Sequence, residues 1–194
     1  MEQLWLKRNG SCHTSRWTGG ETTEFFIYPE TGSYADRLFD FRISSATVAQ
    51  QRSQFSSLSG FYRYLMPLDQ PITLIHEGHG VKELDPFELA PFDGGWATES
   101  VGKCRDFNIM VNQKEGWQAR VDLIRDSGTM TSSCLFTGFY VLSEAITITS
   151  TSHDFSFVLN TGDFLLLKSD HPLAFSISCS QSSFKLIKLG LEKG

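Results

Sequence analysis

Two arginines and two short polar pairs are the residues in this chain best equipped for chemistry. Arg42 stands two residues before Ser44, Arg63 follows a Ser59-Gly60 turn, and Asp106 stands two residues before Asn108. A guanidinium is a planar fork of donors that fits a carboxylate with two parallel hydrogen bonds. Hydroxyl and amide groups beside it would select the rest of a ligand. A carboxyl group there would act as a counter-ion or as a proton carrier.

These residues must be held by strands. Phe39, Phe41 and Ile43 alternate with Asp40, Arg42 and Ser44. Successive strand side chains point to opposite faces, so Arg42 and Ser44 share one face and the apolar three the other. Residues 104–111 repeat the pattern, with Asp106, Asn108 and Met110 opposite Phe107, Ile109 and Val111. The run 61–68, FYRYLMPL, points Arg63 away from Tyr62 and Tyr64. Arg42 and Arg63 are therefore expected on neighbouring strands facing one space, with both faces covered and the polar pairs lining a cavity. Two other readings fit the same alternation. The arginines could be ordinary members of a solvated face, or Asp106 could simply neutralise a buried Arg42 or Arg63.

Other stretches suggest chemistry and fail on inspection. The loop 15–23, SRWTGGETT, has two glycines and hydroxyls but lacks the GKS or GKT of a phosphate loop. His76 and His79 in HEGHG are three apart, which places them on opposite faces of a strand, and HEGHG is not HExxH. That stretch reads as an exposed hairpin tip. His153 and His171 fall at turns and read as surface residues. The four cysteines, Cys12, Cys104, Cys134 and Cys179, have no CxxC spacing and read as reduced thiols.

Composition narrows the class. The 194 residues are 40% hydrophobic and 20% charged, with net charge −5, which suits a globular chain and gives no positive footprint for nucleic acid. No basic amphipathic helix, long apolar run or signal peptide is visible, so a soluble cytoplasmic protein is expected. EFFIY (24–28) reads as a strand, as does FELAPFDGG (87–95), whereas 112–133 reads as a polar connection. Short strands follow at 135–142, 145–151, 155–160, 164–168, 173–179 and 184–189, separated by turn signals. That spacing predicts an antiparallel all-β sandwich or barrel.

The blocks RWTGGETTE (16–24), FDFRISSATV (39–48), FSSLSGFYR (55–63), FDGG (92–95) and GKCRDFNIM (102–110) together resemble the HutD/Ves family. The resemblance covers roughly the first 110 residues; beyond them only LNTGDFLLL (159–167) is similar to a cupin strand turn. It implies the double-stranded β-helix, or jelly roll, of the cupins in a two-half bicupin arrangement. The halves are expected at 1–112 and 113–194, packed as one unit. It further implies that Trp17, Thr22, Arg42, Ser44, Ser56, Arg63, Asp106 and Asn108 line the mouth and interior of the first barrel, with Trp17 covering a ligand. Many relatives read W-x-N-G-G-G where this chain has Trp17-Thr18-Gly19-Gly20-Glu21, and here 66–71 reads MPLDQP where a glycine is common. Metal-binding cupins carry an HxH motif, and this chain has none. The expectation is therefore a protein without metal or cofactor that binds a small carboxylate-bearing metabolite. Relatives occur with histidine-utilisation genes or are linked to stress responses. The alternatives are a metal-independent hydrolase or isomerase with Asp106 as general base, and an interaction module that forms a homodimer.

Overall fold

The computed structural model describes residues 3–150 and 154–194; the turn expected around His153 lies outside them in part. Among the described residues the chain is built of antiparallel strands, with a single 3-10 turn at Gln113–Glu115 and no α-helix. The strands of the first part are β1 (Gln3–Lys7), β2 (His13–Trp17), β3 (Gly20–Tyr28), β4 (Phe41–Val48), β5 (Arg52–Gln54) and β6 (Phe61–Pro67). Next come β7 (Ile72–His76), β8 (Gly80–Leu84), β9 (Ala90–Asp93), β10 (Thr98–Val101) and β11 (Cys104–Asn112). The rest are β12 (Trp117–Ile124), β13 (Gly128–Ser132), β14 (Phe136–Ser143), β15 (Ile146–Ser150), β16 (Ser156–Leu159), β17 (Phe164–Lys168), β18 (Leu173–Cys179) and β19 (Lys185–Lys193). The architecture is the all-β jelly roll.

The chain divides into two compact units, His13–Trp117 and the segment through Cys12 joined with Gln118–Gly194. The division at 112 differs from this in the first dozen residues, because β1 pairs along its whole length with β17. In the second unit the sheets run β1-β17-β14-β19-β12 and β13-β18-β15-β16. Phe139, Leu165, Leu167, Phe175, Ile177 and Leu186 form its buried core. Its turn at 160–163 is fixed by buried Asp163, which accepts from the backbone N–H of Asn9 and Asn160 and from Arg8 Nη1 at 2.8, 2.9 and 2.6 Å.

The unit His13–Trp117 pairs a six-stranded sheet, β2-β3-β4-β11-β6-β9, with a four-stranded one, β5-β10-β7-β8. Leu65, Phe92 and Cys104 from the first pack with Ile72, Leu74 and Leu84 from the second, closing one end of the space between them. The strand alternation holds in β4 and β11. Phe41, Ile43, Phe107, Ile109 and Val111 are fully buried on one face, and Arg42, Ser44, Asp106 and Asn108 are buried on the other.

Several local expectations differ from what forms. The 112–133 stretch is not a mere connection. It contains β12 and β13, and β12 alternates Trp117 and Ala119, both buried, with exposed Gln118 and Arg120. In 87–95 only β9 is extended, since Phe87 has φ 73 and belongs to a turn. The 77–79 segment is a hairpin tip between β7 and β8, yet His76 is buried, with Nδ1 2.8 Å from Thr98 Oγ1. Arg42 and Arg63 are not on neighbouring strands, because β11 lies between β4 and β6.

Candidate functional site

Placing β11 in the middle is what makes the site. Met110 is in register with Arg42 on one side and with Arg63 on the other. Residues opposite each other on antiparallel strands share a face, so both guanidinium groups point to the inner side of the sheet. Asn108 is opposite Ser44 and Asp106 opposite Ala46, which extends the polar row along the same face. β3 adds Thr22, opposite Ala46, and Glu24, opposite Ser44.

These residues, Glu24 excepted, line a cavity of about 220 Å³; Glu24 reaches it only through Arg42. All eight residues singled out from the sequence line it: Trp17, Thr22, Arg42, Ser44, Ser56, Arg63, Asp106 and Asn108. Arg42, Ser44, Arg63, Asp106 and Asn108 are buried. Ser56 and Trp17 are exposed at the edge; Trp17 is 38% exposed, and its Nε1 donates to Thr22 Oγ1 at 3.2 Å. Its ring lies over Gly19, where any β-carbon would collide with it.

The two arginines are held differently. Arg42 Nε donates to Glu24 Oε2 at 2.6 Å, and its guanidinium lies 4.2 Å from the centre of the Tyr34 ring. Arg63 lies over Phe55 at 4.6 Å and Phe92 at 5.4 Å. Aromatic faces attract a cation but do not replace an anion. Among the described residues Arg63 makes no hydrogen bond and no ion pair, and its buried Nε has no partner. Among the described residues, the other fully buried polar atom on this face without a partner is Asn108 Oδ1. Burial pushes the Arg63 guanidinium down to about 10, and nearby Arg42 adds to that, against the pull of Tyr34 and Asp106.

Asp106 is not a counter-ion in contact with either arginine; Arg42 has Glu24 instead. Its Oδ1 accepts from the Ala46 N–H at 3.3 Å. Burial pushes its carboxyl up to about 7, and Asp69 adds to the rise. Arg63 and the Ala46 N–H pull the other way without offsetting it. At this depth desolvation outweighs the attraction of the neighbouring arginine.

Glu24 and Tyr34 escaped the sequence reading as site residues. A break in register between Glu24 and Phe26 turns Glu24 toward Arg42 and sends Phe26 to the apolar face beside Phe41. Consecutive buried phenylalanines at Phe25 and Phe26 are the signal of that bulge. Tyr34 sits on a loop closed by the Ser33–Leu38 bridge and by Ser33 Oγ donating to Asp36 at 2.7 Å.

Many jelly rolls hold a metal ion, and the donor set here does not fit one. The cavity presents two guanidinium groups, a single carboxyl group and no imidazole or thiol. Among the described residues no three His, Cys, Asp or Glu side chains cluster as metal ligands. Nor is any described helix long and apolar enough to cross a membrane.

The family model for HutD matches residues 10–185 of the chain. Among solved structures, the conserved protein of unknown function PA5104 from Pseudomonas aeruginosa PAO1 aligns with TM-score 0.87 and 18% identity, covering 99% of this chain and 100% of that one. HutD from Pseudomonas fluorescens SBW25 aligns with TM-score 0.79 and 18% identity over 99% of this chain and 100% of that one. An oxalate decarboxylase from Lactobacillus farciminis, solved as a formate complex, aligns with TM-score 0.70 and 8% identity over 100% of this chain and 87% of that one. No match was found among curated protein sequences.

Proposed function

The chain belongs to the HutD family, and from that premise we propose that the cavity of the unit His13–Trp117 binds a small metabolite through a carboxylate held by Arg63. One observation carries the reading. Arg63 is a buried cation with no anion and no hydrogen bond among the described residues. A buried charge is tolerated when paired, so a bound carboxylate supplies what the fold leaves out. Each charge-assisted hydrogen bond contributes about 1.5–3 kcal/mol. Asn108 completes the seat, since its amide rotates to present either NH₂ or carbonyl. Thr22, Ser44 and Ser56 contact the rest of the ligand, and Trp17 covers the mouth.

Two relatives of this fold lend support. The Pseudomonas fluorescens HutD structure was obtained in a formate condition, and the oxalate decarboxylase structure is a formate complex. With the link between family members and histidine-utilisation genes, this favours carboxylates of that pathway, bound without chemical change in a regulatory role in the cytoplasm. The four cysteines are free, in keeping with a reducing compartment.

The test is melting temperature with urocanate, formylglutamate, glutamate, formate and histidine. A ligand at a hundred times its dissociation constant adds about 2.7 kcal/mol. At roughly 2–4 °C per kcal/mol, the rise is about 5–10 °C. Arg63→Ala should abolish it. No shift with any of these acids, together with a concentration-dependent dimer, would favour an interaction module instead.

The raised carboxyl of Asp106 favours a second reading, in which it passes a proton to or from the bound metabolite as a general acid–base. Turnover of a ligand followed by NMR and lost in Asp106→Asn would establish it. Intact ligand after long incubation would dismiss it.

A further inference from the structure

Resting on the reading of Arg63 as the carboxylate seat, we propose that the opposite end of the cavity takes an uncharged acceptor group, and that Glu24 is the residue that rejects a second carboxylate there. The cavity has two cations on one face and two different charge environments. Arg63 has no anion beside it, whereas Arg42 is already matched by Glu24 at 2.6 Å. The Arg42–Glu24 pair sums to zero charge. With Asp106 protonated, one negative charge on the ligand balances Arg63 and completes the set.

A second negative charge at Arg42 would lie a few ångströms from Glu24, which sits behind Arg42 with its side chain three-quarters buried, and no cation would be left to match it. Like charges at that range repel by far more than a factor of ten in affinity. Arg42 nevertheless has something to offer. Its Nε is engaged by Glu24 and one face by Tyr34, while its terminal nitrogens have no hydrogen-bond partner among the described residues. Arg42 also lines the cavity. Those nitrogens are donors that ask for an acceptor without demanding an anion. Ser44 and Asn108, opposite each other in register, add groups able to donate and accept beside it.

Size points the same way. β4 and β6 flank β11, so the two arginine backbones are about 9–10 Å apart. A volume near 220 Å³ holds about seven waters' worth of liquid. The ligand class is therefore a short monocarboxylic acid with a carboxamide or carbonyl oxygen at its far end.

The experiment is calorimetric titration of the full chain at one pH and salt concentration with matched pairs, succinate against succinamate and glutarate against glutaramate. The wild type is expected to bind the monoamide at least about tenfold more tightly than the diacid in the better-fitting pair. Glu24→Gln leaves Arg42 unmatched, so the preference should shrink to about twofold or reverse. Equal affinity for diacid and monoamide in the wild type, or an unchanged preference in folded Glu24→Gln, overturns the role of Glu24 while leaving Arg63 as the carboxylate seat. If neither the monoamide nor the diacid of either pair binds, that seat is overturned as well. Should Glu24→Gln not fold, Glu24→Asp keeps the charge and must keep the preference. The wild-type ratio then decides alone.

Discussion

Asp106→Asn should gain stability on the wild type as the pH rises, by about 2–3 kcal/mol between pH 5 and pH 8. The size follows from the burial of this carboxyl. In the unfolded chain it ionises at its ordinary 3.8, and in the folded protein burial holds the proton up to about 7. Between those values the folded state carries about one proton more than the unfolded state. Stability therefore falls as pH rises through this window: the contribution is fully present below 3.8 and gone above about 7. Over the whole window the loss is about 4 kcal/mol, at 1.36 kcal/mol per pH unit, and the part between pH 5 and pH 8 is about two-thirds of it. Asparagine has nearly the same shape and nothing to ionise, so the variant escapes that loss.

Urea unfolding of the ligand-free wild type and variant at pH 5, 6, 7 and 8 measures the gap directly. It should open steadily and level off above pH 7. A gap independent of pH would refute the reasoning, because it would mean that Arg63 holds Asp106 ionised throughout. A carbon NMR titration of the carboxyl gives an independent midpoint. The groups that face it are Arg63 from β6, the Ala46 N–H from β4 and Asp69 beyond β6, and only Asp69 works with burial. A bound carboxylate would add to the rise. Ligand affinity should then fall above pH 7 by up to about tenfold per unit, with proton uptake on binding.

Three further outcomes follow from particular contacts. Arg63→Met should raise stability by about 1–4 kcal/mol in urea unfolding while abolishing the ligand-induced melting shift, since it replaces a buried, unpaired cation by an apolar chain of similar reach. Gly94→Ala should cost about 1–3 kcal/mol, because its β-carbon would sit 2.9 Å and 3.0 Å from the carbonyl oxygens of Phe61 and Leu58 and 3.3 Å from Arg63 Cγ. Asp163→Asn should cost about 1.5–3 kcal/mol by the same assay at pH 7. Burial alone would raise the Asp163 carboxyl, but the N–H groups of Asn160 and Asn9 and the Arg8 guanidinium outweigh it and lower it. Its contribution is complete above the ordinary carboxylate range, and the penalty should fade as pH falls through and below that range.

What the sequence revealed was local, and what it hid was long-range. Strict alternation in 39–48 and 104–111 placed Arg42, Ser44, Asp106 and Asn108 on the inner faces of their strands, and period-two patterning is all that such a placement needs. The insertion of β11 between β4 and β6 is a pairing between segments some forty to seventy residues apart, and no local pattern encodes it. Alternation also put Glu24 and Phe26 on one face, which the bulge overturns. β12 was missed although it alternates, because its polar residues hid four apolar ones spaced by two. The leading strand QLWLK is a short apolar run, but nothing in it says that its partner is β17, some 160 residues away.

The two arginines show why charge type alone was not enough to read the site. Both are buried, both are opposite Met110, and both have an aromatic ring against the guanidinium. They differ in whether the fold supplies an anion. If both were structural, the cheapest arrangement would give each its own carboxylate, and Asp106 is near enough to Arg63 for its charge to be felt. Instead, the carboxyl that could have matched Arg63 is buried deeply enough to hold its proton near neutrality. A cation left unmatched beside an acid kept from ionising is costly in an empty protein. On the proposed reading, an anion from outside offsets that cost, received by Arg63 beside an Asp106 that does not repel it while it keeps its proton.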